Sequence, residues 1–140
     1  MAMTFAAGVH SLPLRVYYED TDAAGIVYYA NYLRFIERGR TEFLRALGYQ
    51  QNEIAAASGL AFAVRSLTSE YLLPARLDDE LIVFTSIQSL GRAQLVFDQH
   101  IERGGVVLYE AAVRIVCLDM NKGKAAAMPR DIHEKFKALT

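Results

Sequence analysis

Between Tyr18 and Tyr32 the chain reads YEDTDAAGIVYYANY, and three carboxylates, Glu19, Asp20 and Asp22, fall within four residues. Ala23-Ala24-Gly25 follows and lets the backbone turn tightly, and a long helical pattern begins just after it. This layout sets a carboxylate beside the free backbone N–H groups of a helix N-terminus, which stabilise negative charge developing on a carbonyl oxygen. A carboxylate that positions water or attacks a carbonyl, beside such donors, is a minimal hydrolase for an activated acyl group. Clustered acids ahead of a helix are equally ordinary capping and turn residues, and spacing alone does not separate the two.

Other reactive side chains are scattered. His10, His100 and His133 share no metal-type spacing with one another or with Cys117. His100 reads as a packed or surface histidine within a strand. Cys117 reads as a small core residue, since nothing near it in sequence would lower its pKa. Ser58, Ser66 and Ser86 lack a nucleophile-elbow setting, and neither G-x-S-x-G, a Walker loop nor G-x-G-x-x-G occurs. These absences argue against a serine hydrolase or a nucleotide-fold enzyme. Arg65, Arg92, Lys122 and Lys124 lie in or beside predicted strand ends and are the candidate contacts for a phosphorylated ligand; taken singly, each reads as solvated surface.

The elements that would position these groups follow from periodicity. Leu14 to Tyr18 is short, rich in β-formers and predicts a strand. From Tyr32, the residues Phe35, Ile36, Gly39, Phe43, Ala46 and Leu47 recur at spacings of three and four and predict one helix with an apolar stripe. Asn31 and Gly48 are its expected caps, giving a helix of about 26 Å at 1.5 Å per residue. Gly39 costs such a helix about 1 kcal/mol against Ala, so a close approach is expected there. Charge pairs Arg34 with Glu37, Arg38 with Glu42 and Glu42 with Arg45 lie one turn apart. A short helix is expected at Gln51 to Ala57.

Strands are expected at Ala61 to Leu73, Glu80 to Ser89, Ala93 to Arg103 and Val106 to Leu118, with Gly104-Gly105 as a hairpin turn. The last strand carries apolar residues on both faces and predicts burial on both. Pro129 opens a C-terminal helix with Ile132, Phe136 and Leu139 as its apolar side. The order strand, long helix, then four or five antiparallel strands is α+β, with no internal repeat or linker.

Composition is consistent with one globular domain over residues 1–140. The chain is 53% hydrophobic and 22% charged, which excludes disorder and coiled coil. Fifteen Lys and Arg against sixteen Asp and Glu give a net charge of -1, so broad nucleic-acid binding is not expected. A single cysteine fits a reducing, cytoplasmic setting. The N-terminus MAMTFAAGVHSLPL lacks the charged start and apolar core of a signal peptide, and no apolar run approaches the ~20 residues of a membrane span.

The run VYYEDTDAAGIVYYANYLRFIERGRTEFLRALG, Val16 to Gly48, resembles the signature of the YbgC-type acyl-CoA thioesterases, in the 4-hydroxybenzoyl-CoA thioesterase branch of the hotdog superfamily. The similarity continues through VRSLTSEYLLPARLDDEL, Val64 to Leu81, and the later strands. The resemblance implies a hotdog fold, a curved antiparallel sheet of about five strands around one long helix. It also implies hydrolysis of acyl-CoA to a carboxylic acid and CoA without metal or cofactor, and homodimers, commonly paired into tetramers, with sites between protomers.

By this resemblance Asp22 is the general base or nucleophile, and the backbone N–H groups near Tyr28 and Tyr29 hold the carbonyl oxygen. Gly25 allows close approach of the thioester. Glu19 and Asp20 are structural, and Glu37, Arg40 and Glu42 form an ion network on the helix face. Tyr29 stands where many members have His, so a histidine's proton-transfer role does not carry over; a tyrosine with a pKa near 10 is a poor base at pH 7. The resemblance does not fix the contacts of the CoA phosphates, which are expected at Arg65, Arg92, Lys122 and Lys124 as cations in or beside strand ends. A second reading is a weakly catalytic binding protein for acyl thioesters or acyl carrier protein, associated with the Tol–Pal envelope system. A hotdog dehydratase would need a motif such as H-F-P-G, which does not occur.

Overall fold

The computed structural model describes residues 4–140, so Met1–Met3, the start of the segment weighed as a leader, lie outside the described residues. The elements run β1 (Thr4–Ala6), β2 (Val9–Arg15), a 3-10 turn (Tyr18–Asp20), α1 (Asn31–Ala46), α2 (Gln51–Ser58), β3 (Leu60–Tyr71), β4 (Glu80–Leu90), β5 (Gln94–Arg103), β6 (Val106–Asp119), β7 (Lys124–Ala125) and α3 (Arg130–Lys137). The strands make one antiparallel sheet in the order β1-β2-β4-β5-β6-β3, with β7 pairing β6. The long helix packs on β4, β2 and β5, the arrangement expected of a hotdog fold. No helix among the described residues is long and apolar enough to cross a membrane.

The strand expected at Leu14 to Tyr18 differs from expectation. It is β2 and runs Val9–Arg15, because His10 to Arg15 pair with Thr85 to Glu80 on β4. Tyr17 and Tyr18 are instead exposed on the turn that leaves the sheet.

Helix α1 buries Tyr32, Phe35, Ile36, Gly39, Phe43 and Leu44. Leu44 takes the place expected of Ala46, which is exposed. Ala30 is the N-cap and Asn31 is the first helical residue. Leu47 closes the helix and Gly48, at φ +94°, follows in the left-handed conformation that ends it. The close approach at Gly39 is present: a Cβ there would lie 2.8 Å from Val83 Cγ1 and 2.9 Å from Thr85 Oγ1. Of the three expected charge pairs, Glu42 with Arg45 is the one formed among the described residues.

The ladder departs from strict alternation at three places. The register slips at Arg65 on β3, at Gln88 on β4 and at Leu108 on β6, and such bulges bend a strand and strengthen its twist. Gly104 and Gly105, at φ +57° and +83°, form the expected turn between β5 and β6. On β6, Tyr109, Ala111, Val113, Ile115 and Cys117 are buried towards the helix. The other face is covered in part: Leu108 is buried and Val116 and Leu118 are half-buried, whereas Val106 is half-exposed and Glu110 and Arg114 face solvent. α3 begins after Pro129 and buries Ile132 and Phe136 against the same core.

Candidate active site

The segment between β2 and α1 is pinned at both ends by backbone hydrogen bonds. Thr21 bridges Val27, Ile26 bridges Arg76, and the Val27 N–H donates to the Ala75 carbonyl at 2.8 Å. The Ala75 N–H in turn donates to the buried Tyr32 hydroxyl at 3.0 Å. Burial pushes that phenol's pKa up, so it stays neutral.

The three carboxylates have separate fates. Asp20 is buried, and its two oxygens accept from the Tyr17 N–H at 2.8 Å and from Asn31 Nδ2 at 2.6 Å. It is a structural clamp between the turn and the start of α1, as expected. Glu19 is exposed.

Asp22 heads the turn Asp22–Gly25. Its N–H donates to the Ile26 carbonyl, its own carbonyl accepts from the Gly25 N–H at 3.0 Å, and Gly25 has φ +76°. One carboxylate oxygen accepts from the Ala24 N–H at 2.9 Å. Among the described residues the other oxygen has no partner, and the side chain faces solvent.

Of the two backbone N–H groups expected to hold the carbonyl oxygen, that of Tyr28 already donates to the Asp20 carbonyl at 2.9 Å. Among the described residues the Tyr29 N–H has no acceptor, while the Tyr29 carbonyl accepts from the Tyr71 hydroxyl at 2.9 Å. Tyr71 was not singled out individually from sequence. It reaches the site because β3 ends beside the helix entry, where Tyr28, Tyr29, Tyr32, Tyr71 and Tyr109 form a chain of ring contacts.

The expected phosphate contacts do not gather at Asp22 within one chain. Arg65 is the bulged residue of β3, Arg92 lies in the β4–β5 turn, and Lys122 and Lys124 lie in the β6–β7 turn and on β7. The last three occupy the end of the sheet where β6 finishes at Asp119, whereas Tyr109 marks the end near Tyr71. Ten residues of strand separate those ends, about 33 Å. Arg76 pairs with the loop through a backbone bridge to Ile26. No motif marks it, because the approach depends on the return of the chain after β3.

The remaining candidates are accounted for by packing. Cys117 is buried and its thiol is pushed up by burial, away from the reactive thiolate. His100 stacks on Phe84 and lies 2.7 Å from Glu102. Arg40 is not part of a helix-face ion network: it turns inward and donates to Gln99 Oε1 at 3.0 Å, and Gln99 donates to the Ile36 carbonyl and to Thr85. Among the described residues no group of three or more His, Cys, Asp or Glu is placed to hold a metal ion.

The family model described as the thioesterase-like superfamily matches residues 16–136. The chain is 48% identical over 126 residues to the acyl-CoA thioester hydrolase YbgC of Escherichia coli O6:H1, covering 89% of this chain and 93% of that one. It is 43% identical over 129 residues to the acyl-CoA thioesterase YbgC of Haemophilus influenzae, covering 92% and 95%. A probable thioesterase from Bartonella henselae superposes with a TM-score of 0.82 at 37% identity, over 86% of this chain and 99% of that one. With the signature Val16–Gly48 folded as one clamped turn and one helix, the chain belongs to the thioesterase-like superfamily and, within it, to the YbgC-type acyl-CoA thioesterases.

Proposed function

We propose that the protein hydrolyses acyl-CoA thioesters to the free acid and CoA, with Asp22 as the base or nucleophile and the Tyr29 N–H as the donor to the carbonyl oxygen. The observation that carries this reading is the pairing of an unpartnered Asp22 oxygen with an unpartnered backbone donor on one clamped segment. In the base route Asp22 takes a proton from water, the water oxygen bonds to the carbonyl carbon, and the carbonyl oxygen becomes negative beside the Tyr29 N–H. The intermediate then collapses, the C–S bond breaks, and the proton passes from Asp22 to the departing thiolate. In the nucleophilic route an Asp22 oxygen bonds to the acyl carbon, the C–S bond breaks and CoA leaves as the thiolate; water then cleaves the resulting anhydride, freeing the acid and the Asp22 carboxylate, and the proton it releases goes to the thiolate.

A second copy of the chain completes the reading. β3 is an edge strand of 12 residues with Val64, Leu67 and Tyr71 partly exposed, and such an edge invites pairing. Antiparallel pairing of two β3 edges lays the Leu60 end of one copy beside the Tyr71 end of the other. The partner's Lys122 and Lys124 then approach the end that holds Asp22, which a single chain does not achieve. This supports a homo-oligomer in which CoA phosphates are held across the interface.

The test is thiol release from acyl-CoAs ranging from acetyl through benzoyl to palmitoyl, by the wild type and Asp22→Asn in parallel. Turnover reduced about 100-fold or more in a folded variant is expected for loss of a positioned base or nucleophile. Equal rates for the two proteins would overturn the role of Asp22. No turnover on any CoA thioester, with saturable binding of acyl carrier protein, would replace hydrolysis with a binding function.

A further inference from the structure

The Tyr109 side chain is fully buried, and its hydroxyl meets no partner in hydrogen-bonding geometry among the described residues. The ring itself is well packed: it stacks on Tyr32 at 5.0 Å and meets Tyr71 edge-to-face at 4.9 Å. Phenylalanine would supply those contacts without stranding an oxygen away from water, which costs stability. Packing therefore accounts for the ring and not for the hydroxyl.

The neighbours of that oxygen give it a use. Tyr109 is the direct cross-strand partner of Tyr71 in the β3–β6 ladder, and the hydroxyls of Ser69 and Tyr71 lie beside its own. Burial pushes the Tyr109 phenol's pKa up, so the oxygen keeps its proton and remains a donor. The Tyr71 hydroxyl gives its one proton to the Tyr29 carbonyl at 2.9 Å and has lone pairs left to accept. A hydroxyl that accepts a hydrogen bond donates a stronger one.

The carbonyl at the end of this chain of hydroxyls belongs to the peptide that joins Tyr29 to Ala30. A hydrogen bond there draws charge from the peptide nitrogen by amide resonance, which makes the Ala30 N–H a better donor. Among the described residues the Ala30 N–H, like that of Tyr29, has no acceptor. The Asn31 N–H donates to the Tyr28 carbonyl at 2.8 Å and closes a turn over Tyr29 and Ala30, with Ala30 at φ -70° and ψ -19°. This is a type I turn, in which the two free N–H groups leave the start of α1 in the same sense.

We propose that Tyr109 is a positioning residue for thioester hydrolysis: its hydroxyl, acting through that of Tyr71, holds and polarises the Tyr29–Ala30 peptide, so that the Ala30 N–H joins the Tyr29 N–H as a second donor to the carbonyl oxygen. This rests on the hydrolytic reading of Asp22. Tyr109 is buried and reaches the reacting atoms only through Tyr71. Its contact with the Tyr71 hydroxyl is out of line in the free protein, and bonds of this kind align when substrate binds.

The experiment compares the wild type with Tyr109→Phe, Tyr71→Phe and the double variant. Thiol release from acetyl-, benzoyl- and palmitoyl-CoA gives kcat and KM, and urea denaturation gives stability. The same substitutions are placed in Asp22→Asn, and isotope-edited infrared spectra record the carbonyl stretch of each acyl-CoA, carbon-13-labelled at the thioester, bound to those proteins. Tyr109→Phe is expected to lower kcat about fivefold with KM unchanged. Its urea midpoint should be equal or higher, and the bound carbonyl should absorb at a higher frequency, as loss of a polarising donor requires. The double variant should be no slower than Tyr71→Phe alone, since one hydroxyl acts through the other. An unchanged kcat or an unmoved band in Tyr109→Phe would overturn the proposal. So would losses that multiply in the double variant, or a lowered urea midpoint, which would make the hydroxyl a structural bond. If the wild type turns over none of the three while the band still moves in Tyr109→Phe, the hydrolytic reading falls and the polarised peptide stands.

Discussion

The Asp20 carboxylate accepts from Asn31 Nδ2 at 2.6 Å, and both side chains are buried. This bond joins the turn after β2 to the first residue of α1, eleven positions on, across the segment that carries Asp22 and Tyr29. Its removal strands a buried carboxylate oxygen, which costs about 1–3 kcal/mol and more if the charge persists. Asn31→Ala is therefore expected to lower the unfolding free energy by about that amount and to reduce kcat more than it raises KM. Urea denaturation and steady-state kinetics on the same preparation check both; an unchanged kcat in a destabilised variant would confine the clamp to stability.

Tyr71 holds the Tyr29 carbonyl through its hydroxyl, and the ring remains packed without that hydroxyl. The bond is exposed, so Tyr71→Phe should cost about 1 kcal/mol or less in stability. If the bond orients the Tyr29 peptide, kcat falls several-fold while thermal stability barely moves. An unaltered kcat would separate Tyr71 from the oxyanion site.

Gly39 is expected to resist even the smallest addition. A Cβ would sit 2.8 Å from Val83 Cγ1, 2.9 Å from Thr85 Oγ1 and 3.0 Å from Gln99 Nε2. Ala has the better helix propensity by about 1 kcal/mol, yet overpacking a closed core costs about 1–3 kcal/mol. The clash wins, so Gly39→Ala should be destabilised, as read by the urea midpoint. A stabilised variant would mean that α1 can lift from β4 without loss.

His10 is the acid-sensitive point of the core. It is fully buried, neither ring nitrogen has a partner among the described residues, and Phe5 and Phe43 pack edge-on against it. Burial lowers its pKa below the usual 6.5, and the nearby Glu42 only partly offsets this. The unfolded chain therefore binds a proton that the folded chain excludes. Stability from the neutral ring is complete above pH 6.5 and declines as the pH falls through 6.5 towards the lower folded value. Between pH 7.5 and 5.5 the wild type should lose more stability than His10→Phe; identical slopes would acquit this histidine.

Much of the fold was legible because burial imposes a period. Phe35, Ile36, Gly39 and Phe43 lie on one side of a helix whatever it packs against, and Gly39 announced a close neighbour because glycine is a poor helix former. The two glycines at 104 and 105 likewise mark a turn that only positive φ permits. The β-formers of Leu14–Tyr18 predict a strand there, but pairing with β4 rewards His10 to Arg15 instead. Asp22 stood out by its place before a turn and helix, whereas Tyr71, Arg76 and the inward turn of Arg40 carry no local mark.

By itself, then, the sequence determined the element types, the family signature and the acidic turn ahead of α1, since propensity, turn chemistry and apolar period act over a few residues. Tertiary structure alone decided which acid is buried, which N–H remains open, and that the phosphate-contact candidates Arg92, Lys122 and Lys124 lie at the far end of the sheet from Asp22. Those outcomes depend on strand register and on contacts between residues tens of positions apart. A hydrogen bond such as Tyr71 to Tyr29 exists only once β3 has paired with β6 and α1 has docked, and no local preference encodes that distance.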